Sequence, residues 1–83
     1  MTSLADIPKP TFDALVEYAV AHRPVGAFLY AALSNDFMTA VFRADDENIH
    51  ELRAIAVYIY NELPPEAHGS KAKVDAWLEG FTP

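Results

Sequence analysis

From Arg23 to Asn61 the chain is nearly continuous helix-forming, apolar-periodic sequence. It is interrupted by one polar triplet, Ser34-Asn35-Asp36, and one acidic triplet, Asp45-Asp46-Glu47. Apolar residues recurring every three to four positions commit such a stretch to amphipathic helices, and short polar side chains that compete for backbone hydrogen bonds set where those helices end. The chain is therefore expected to be all-α: a small compact bundle of four to five short helices, each burying one stripe against its neighbours.

Phe12, Leu15, Val16, Ala19 and Val20 recur at helical spacing, which predicts a first helix over about 11–22 with Thr11 as its cap. Pro24 suits the first turn of a second helix over about 24–34, in which Val25, Phe28, Leu29, Ala32 and Leu33 form the stripe. Gly26 inside that helix costs about 1 kcal/mol relative to Ala, and close packing against a neighbour is one reason for it. The polar triplet predicts a break and a short third helix, Phe37 to Arg43; a continuous bent helix is the rival reading. Asp45 or Asp46 caps the longest helix, about 46–62, with Ile49, Leu52, Ala56, Ile59 and Leu63 as its core stripe, widened by Ile55 and Tyr60. Pro64-Pro65 stops it, and Glu66 to Gly69 reads as a loop. Ser70 then caps a last helix that turns Val74, Trp77 and Leu78 to the core and ends at Gly80. The expected organisation is one domain over 1–83, with an extended lead over 1–10 and a helical core over 11–80.

Length and charge narrow the function classes. A domain of 83 residues buries only about 60% of the surface its unfolded chain exposes, so its stability is modest or borrowed from self-association. The hydrophobic fraction of 52%, with 12% aromatics, gives it enough bulk to fold without disulfides or a structural metal. Six Lys and Arg stand against twelve Asp and Glu, for a net charge of −6, and the cations are dispersed singly. Direct nucleic-acid binding needs a clustered basic face and is not expected. Acidity favours solubility and steering toward basic protein surfaces. The absence of Cys fits a reducing cytoplasm. MTSLADIPKP lacks the basic start and apolar run of a signal peptide, and no stretch approaches the roughly 20 apolar residues of a membrane span. A cytoplasmic location is expected.

Catalytic and metal-binding patterns are incomplete. Glu47-x-x-His50 sets a carboxylate and an imidazole on one helix face, as in di-iron bundles, but the second copy and bridging Glu residues are missing. Asp45-Asp46-Glu47, with Asp36 upstream, lacks the alternating ligands, central Gly and terminal Glu of a calcium loop; capping and dipole compensation are its ordinary explanation. Three His residues could serve general acid–base chemistry, which also requires a pocket. No cofactor is expected, and no enzyme activity. Tyr is enriched at interfaces. Of Tyr18, Tyr30, Tyr58 and Tyr60, the last two lie about 200° apart on an ideal helix. Tyr60 is expected to join the core rim, and Tyr58 is the candidate for outward presentation, singly or with Tyr30, while core or rim packing is the preferred reading for each of the four.

Pro24-Val25-Gly26-Ala27-Phe28-Leu29, Ala32-Leu33-Ser34-Asn35-Asp36-Phe37, Arg43-Ala44-Asp45, Asn48, Tyr58-Ile59-Tyr60-Asn61, Gly69-Ser70 and Trp77-Leu78 together span 24–78. This string resembles a family of small tailed-phage and prophage proteins without an established activity, in which GGFL…LSNDL…RAD…N…YLYN…P…CWGS…V…W recurs. Where that family has Cys-Trp before Gly-Ser, this chain has Ala67-His68, so a role resting on that Cys or Trp is absent. The resemblance implies a phage or prophage origin and the cytoplasm of a bacterial host. It transfers no site residues.

The leading expectation is a small acidic accessory protein that works non-enzymatically by binding a host protein or complex, including a nucleic-acid-binding one. By analogy with phage products of this size, an inhibitor of host defence of the anti-CRISPR kind is one form of it. The partner-binding residues would be the exposed acids Asp36, Asp45, Asp46, Glu47 and Glu51, with Tyr58 as anchor. Two other readings stand beside it: an oligomer, in the simplest case a homodimer, with a small-molecule pocket between subunits, and a structural module without a dedicated site.

Overall fold

The computed structural model describes residues 7–80. Among these the chain is all-α, with six helices and one short 3-10 turn. The helices are α1 Lys9–Ala21, α2 Ala27–Leu33, α3 Phe37–Arg43, α4 Asp46–His50, α5 Leu52–Glu62 and α6 Lys71–Leu78; the 3-10 turn is Pro65–Ala67. None of them is long and apolar enough to cross a membrane.

Three of the expected helix starts hold, each through a side-chain cap. Asp36 accepts from the Thr39 N–H at 3.3 Å and opens α3; Asp45 accepts from the Asn48 N–H at 2.8 Å and opens α4. Ser70 accepts from the Lys73 N–H at 3.2 Å and opens α6. These caps satisfy backbone donors that have no partner inside a helix. The polar triplet does break the chain. Asn35 adopts a left-handed φ of 65°, while its N–H and that of Asp36 reach back to the carbonyls of Ala32 and Ala31, which closes α2. Ser34 contributes no side-chain bond: its hydroxyl is buried without a partner.

Four expectations are corrected. The first helix begins at Lys9, not Thr11: Lys9 and Pro10 sit in its first turn, where a proline lacks nothing a helix needs, and Pro8 stands at the cap. Residues 1–6 of the expected extended lead lie outside the described residues. Thr11 is no cap but a buried residue whose hydroxyl donates to Asn48 Oδ1 at 2.6 Å. The second helix starts at Ala27, so Pro24 and Val25 precede it and Gly26 caps it; a Cβ on Gly26 would meet nothing within 4 Å, and close packing does not explain this glycine. The long helix is two, divided at Glu51, whose φ of −109° and ψ of 20° leave the helical range.

One cluster ties the two ends of the fold together. Tyr18 is 0% exposed, and its hydroxyl donates to the Ala67 carbonyl at 2.6 Å. Its own carbonyl accepts from Trp77 Nε1 at 2.7 Å. His22, left-handed at φ 57°, brings Nδ1 within 2.7 Å of the Trp77 carbonyl and lays its ring 4.5 Å from the indole. A carbonyl only accepts, so Nδ1 carries the proton. Leu15, Leu33, Ile55 and Val74 complete the fully buried centre. Gly69, whose φ of 113° few other residues adopt, donates its N–H to the Leu33 carbonyl at 2.8 Å and fixes the loop before α6 onto α2.

Burial, and secondarily the charge of Asp75, pushes the Tyr18 phenol up from 10.0 to about 12. Between those values the unfolded chain sheds a proton that the folded chain keeps, so stability present below pH 10.0 is lost as pH rises toward about 12. Urea unfolding of the wild type should give a lower midpoint at about pH 11 than at about pH 9. Tyr18→Phe should remove part of that difference and cost about 1–3 kcal/mol at neutral pH by leaving the Ala67 carbonyl unpaired. An unchanged midpoint in Tyr18→Phe would show that this bond contributes nothing.

Candidate functional site

The six residues expected at a binding face do not form one site. Asp36, Asp45, Asp46 and Glu47 are exposed as expected. Glu51 is half-buried at the joint between α4 and α5, because the chain leaves helical geometry there. Tyr58 is not presented outward: it is half-buried and meets Phe12 edge to face with ring centroids 5.4 Å apart. Burial first, and then the charge of Glu62, raises its phenol above the usual tyrosine value. Tyr30 is also committed, donating to Asp75 Oδ1 at 2.6 Å under the ammonium of Lys71.

Tyr60 reverses the expectation most fully, at 79% exposed and not at the core rim. The buried residues of α5 are Ala54, Ile55 and Ile59, with Tyr58 half-buried beside them. At about 100° per residue, that face is turned by roughly a quarter turn from the stripe Leu52, Ala56, Ile59. Packing of Tyr58 against Phe12 of α1 is the contact that goes with this turn. Its consequence is that Arg53, Ala56, Val57 and Tyr60 are left outside.

Of these, Arg53, Ala56 and Tyr60 line an open groove of about 880 Å³. Its floor is Ala32 and Leu33 of α2. Phe37 and Ala40 of α3 line it, as do Leu52, Ile55, Ala56, Ile59 and Tyr60 of α5, and Pro65, His68 and Gly69 belong to the loop before α6. Its charged lining residues are Arg53, Lys73 and Asp36. The lining is therefore mainly apolar, with the exposed Ala56 as a shallow point between bulkier neighbours.

α3 carries the apolar surface on beyond the groove. Counted from Phe37 on an ideal helix, Val41, Met38 and Phe42 fall at about 40°, 100° and 140°, and Ala40 falls at about 300°. The helix packs on α2 and buries Ala40 alone. Its bulky side chains are turned outward: Phe37 is 66% exposed, Met38 58% and Phe42 76%. Periodicity announces that α3 has an apolar face, but not that the small residue is the one buried. Isolated exposed apolar residues are ordinary; three bulky ones on a single seven-residue helix are less so.

Among the described residues no three His, Cys, Asp or Glu side chains come together as metal ligands. The ion pairs among the described residues are Lys9–Asp13 and Arg23–Glu17, and none of these residues pairs Asp36, Asp45, Asp46 or Glu47 within 4.0 Å. No protein-family model, curated protein or solved structure matches this chain.

Because Met38 and Phe42 touch so little of their own chain, Met38→Gln and Phe42→Gln should change unfolding free energy by no more than about 0.5 kcal/mol in urea titrations. Both should reduce the fluorescence of an apolar-surface dye bound to the native protein. A loss near that of a buried residue, about 2–5 kcal/mol, would show that these side chains are packed in the single chain.

Proposed function

We propose that this protein is a small non-enzymatic accessory protein that works by binding another protein. The observation that carries the reading is the orientation of α3, with Phe37 exposed at the apolar groove and Met38 and Phe42 exposed further round the same helix. An apolar groove lined by two helices suits an amphipathic protein surface, whose side chains fill it at intervals of a helical turn. Exposed aromatic residues at its border supply the anchors on which such contacts depend.

The unpaired carboxylates give the encounter its direction. Asp36 lines the groove, and Asp45, Asp46 and Glu47 follow directly after α3 in the chain. With a net charge of −6, the molecule is drawn toward a basic surface before apolar contact is made, and such steering weakens with salt. The resemblance to tailed-phage and prophage proteins supports a host protein or complex as the partner, and a basic, nucleic-acid-binding defence complex is the class that suits both the charge and that setting.

A photo-crosslinking amino acid placed at Met38 should capture a host protein from bacterial lysate, identified by mass spectrometry. The same group placed at Val20, 78% exposed on α1, should not. Excess wild-type protein should compete for the captured species; Phe42→Glu should not. Charge reversal at Asp45, Asp46 and Glu47 should lower the yield at low salt by about tenfold and make it nearly salt-independent. Equal capture at both positions, or none at either, would remove the reading.

A further inference from the structure

We infer that in the free protein the groove is covered by a second copy of this chain, the two related by a twofold axis so that the Met38–Phe42 ridge of each α3 seats in the other's groove. The inference rests on the reading that this face binds protein. It names the occupant before any host partner is met.

Self-complementarity is the first argument. A twofold interface uses the same patch on both molecules, so that patch must hold both the projection and the recess. Here α3 offers the exposed Met38 and Phe42 as the projection, and the groove lined by its own Phe37 and Ala40, with Ala56 of α5, supplies the recess. Interfaces between copies are also more apolar than those between transient partners, as this one is. Burying this face in a copy extends the small core of a chain of 83 residues.

Charge decides the place. Two molecules of net charge −6 repel each other, so they can meet only where that charge is locally relieved. Of the six Lys and Arg in the chain, Arg53 and Lys73 line the groove and Arg43 closes α3. Among the described residues, Asp36 is the acid that lines it. The groove's lining therefore carries two cations to one carboxylate in an acidic molecule, and Asp36 gives the guanidinium of the other copy a partner. Asp45, Asp46, Glu47 and Glu51 are not among the groove residues and stay available outside the pair.

Sedimentation equilibrium of the full chain from about 1 to about 200 µM tests this. The expected species is a dimer, twice the 9.2 kDa chain. Raising salt from about 50 to about 500 mM should tighten it, because screening relieves the mutual repulsion. Phe42→Glu and Tyr60→Glu, one on each helix bordering the groove, should each raise the dissociation constant at least about tenfold. Both should keep the helical circular dichroism, since neither side chain is buried, and Val20→Glu should leave the dimer unchanged. A monomer throughout the range, or a dimer that Val20→Glu disrupts and the other two do not, would overturn the inference. If the purified chain is monomeric yet the crosslinker at Met38 still captures a host protein, the self-pairing is wrong and the protein-binding reading stands. If it is monomeric and nothing is captured, both fall.

Discussion

Everything in this fold hangs on the buried phenol of Tyr18. Through its hydroxyl it holds the Ala67 carbonyl, and through its main-chain carbonyl it holds the indole of Trp77, so one residue of α1 fixes both the 3-10 turn and α6. His22 closes the arrangement from the other side by bonding the Trp77 carbonyl. Helices as short as these are marginal alone, and tertiary contact is what makes them persist. Buried hydrogen bonds between residues 49 to 59 positions apart select one packing among the many that a set of amphipathic helices would otherwise permit.

With α1 and α6 bound in this way and α2 joined to the loop at Gly69, the remaining elements are placed by what is left over. α5 turns Ile55 and Ile59 inward and sends Tyr58 to Phe12. α3 rests on α2 through the small side chain of Ala40. The groove is lined by what this packing leaves uncovered on α2, α3 and α5, with Leu52, Ile55, Ala56 and Ile59 making it mainly apolar.

How much of this could be read from the residues follows the range of the interaction that decides it. Asp36, Asp45 and Ser70 bond to donors three residues away, and Pro64-Pro65 stops a helix through its own rings; such features are written locally and were legible. The turn of α5 was not, because Tyr58 and Tyr60 differ in fate only through Phe12, more than forty positions earlier. The break at Glu51 lay hidden too, inside a stripe that reads equally well as one helix. Of the candidate site, the acids were legible as exposed, except Glu51, while the groove was not: an apolar face is apparent in a sequence, but its neighbour is not.

The division at Glu51 leaves α4 in an unusual position. Its five residues bury none of their side chains fully, and the side-chain bond that ties it to another helix runs from Thr11 to Asn48. Free energies of local opening vary across a native protein, and an element with so few buried contacts opens at a small fraction of the global cost. Asp46 and Glu47 ride on this segment. The exposed carboxylates of Asp46 and Glu47 are therefore carried by a segment that can reopen at little expense to the rest of the fold.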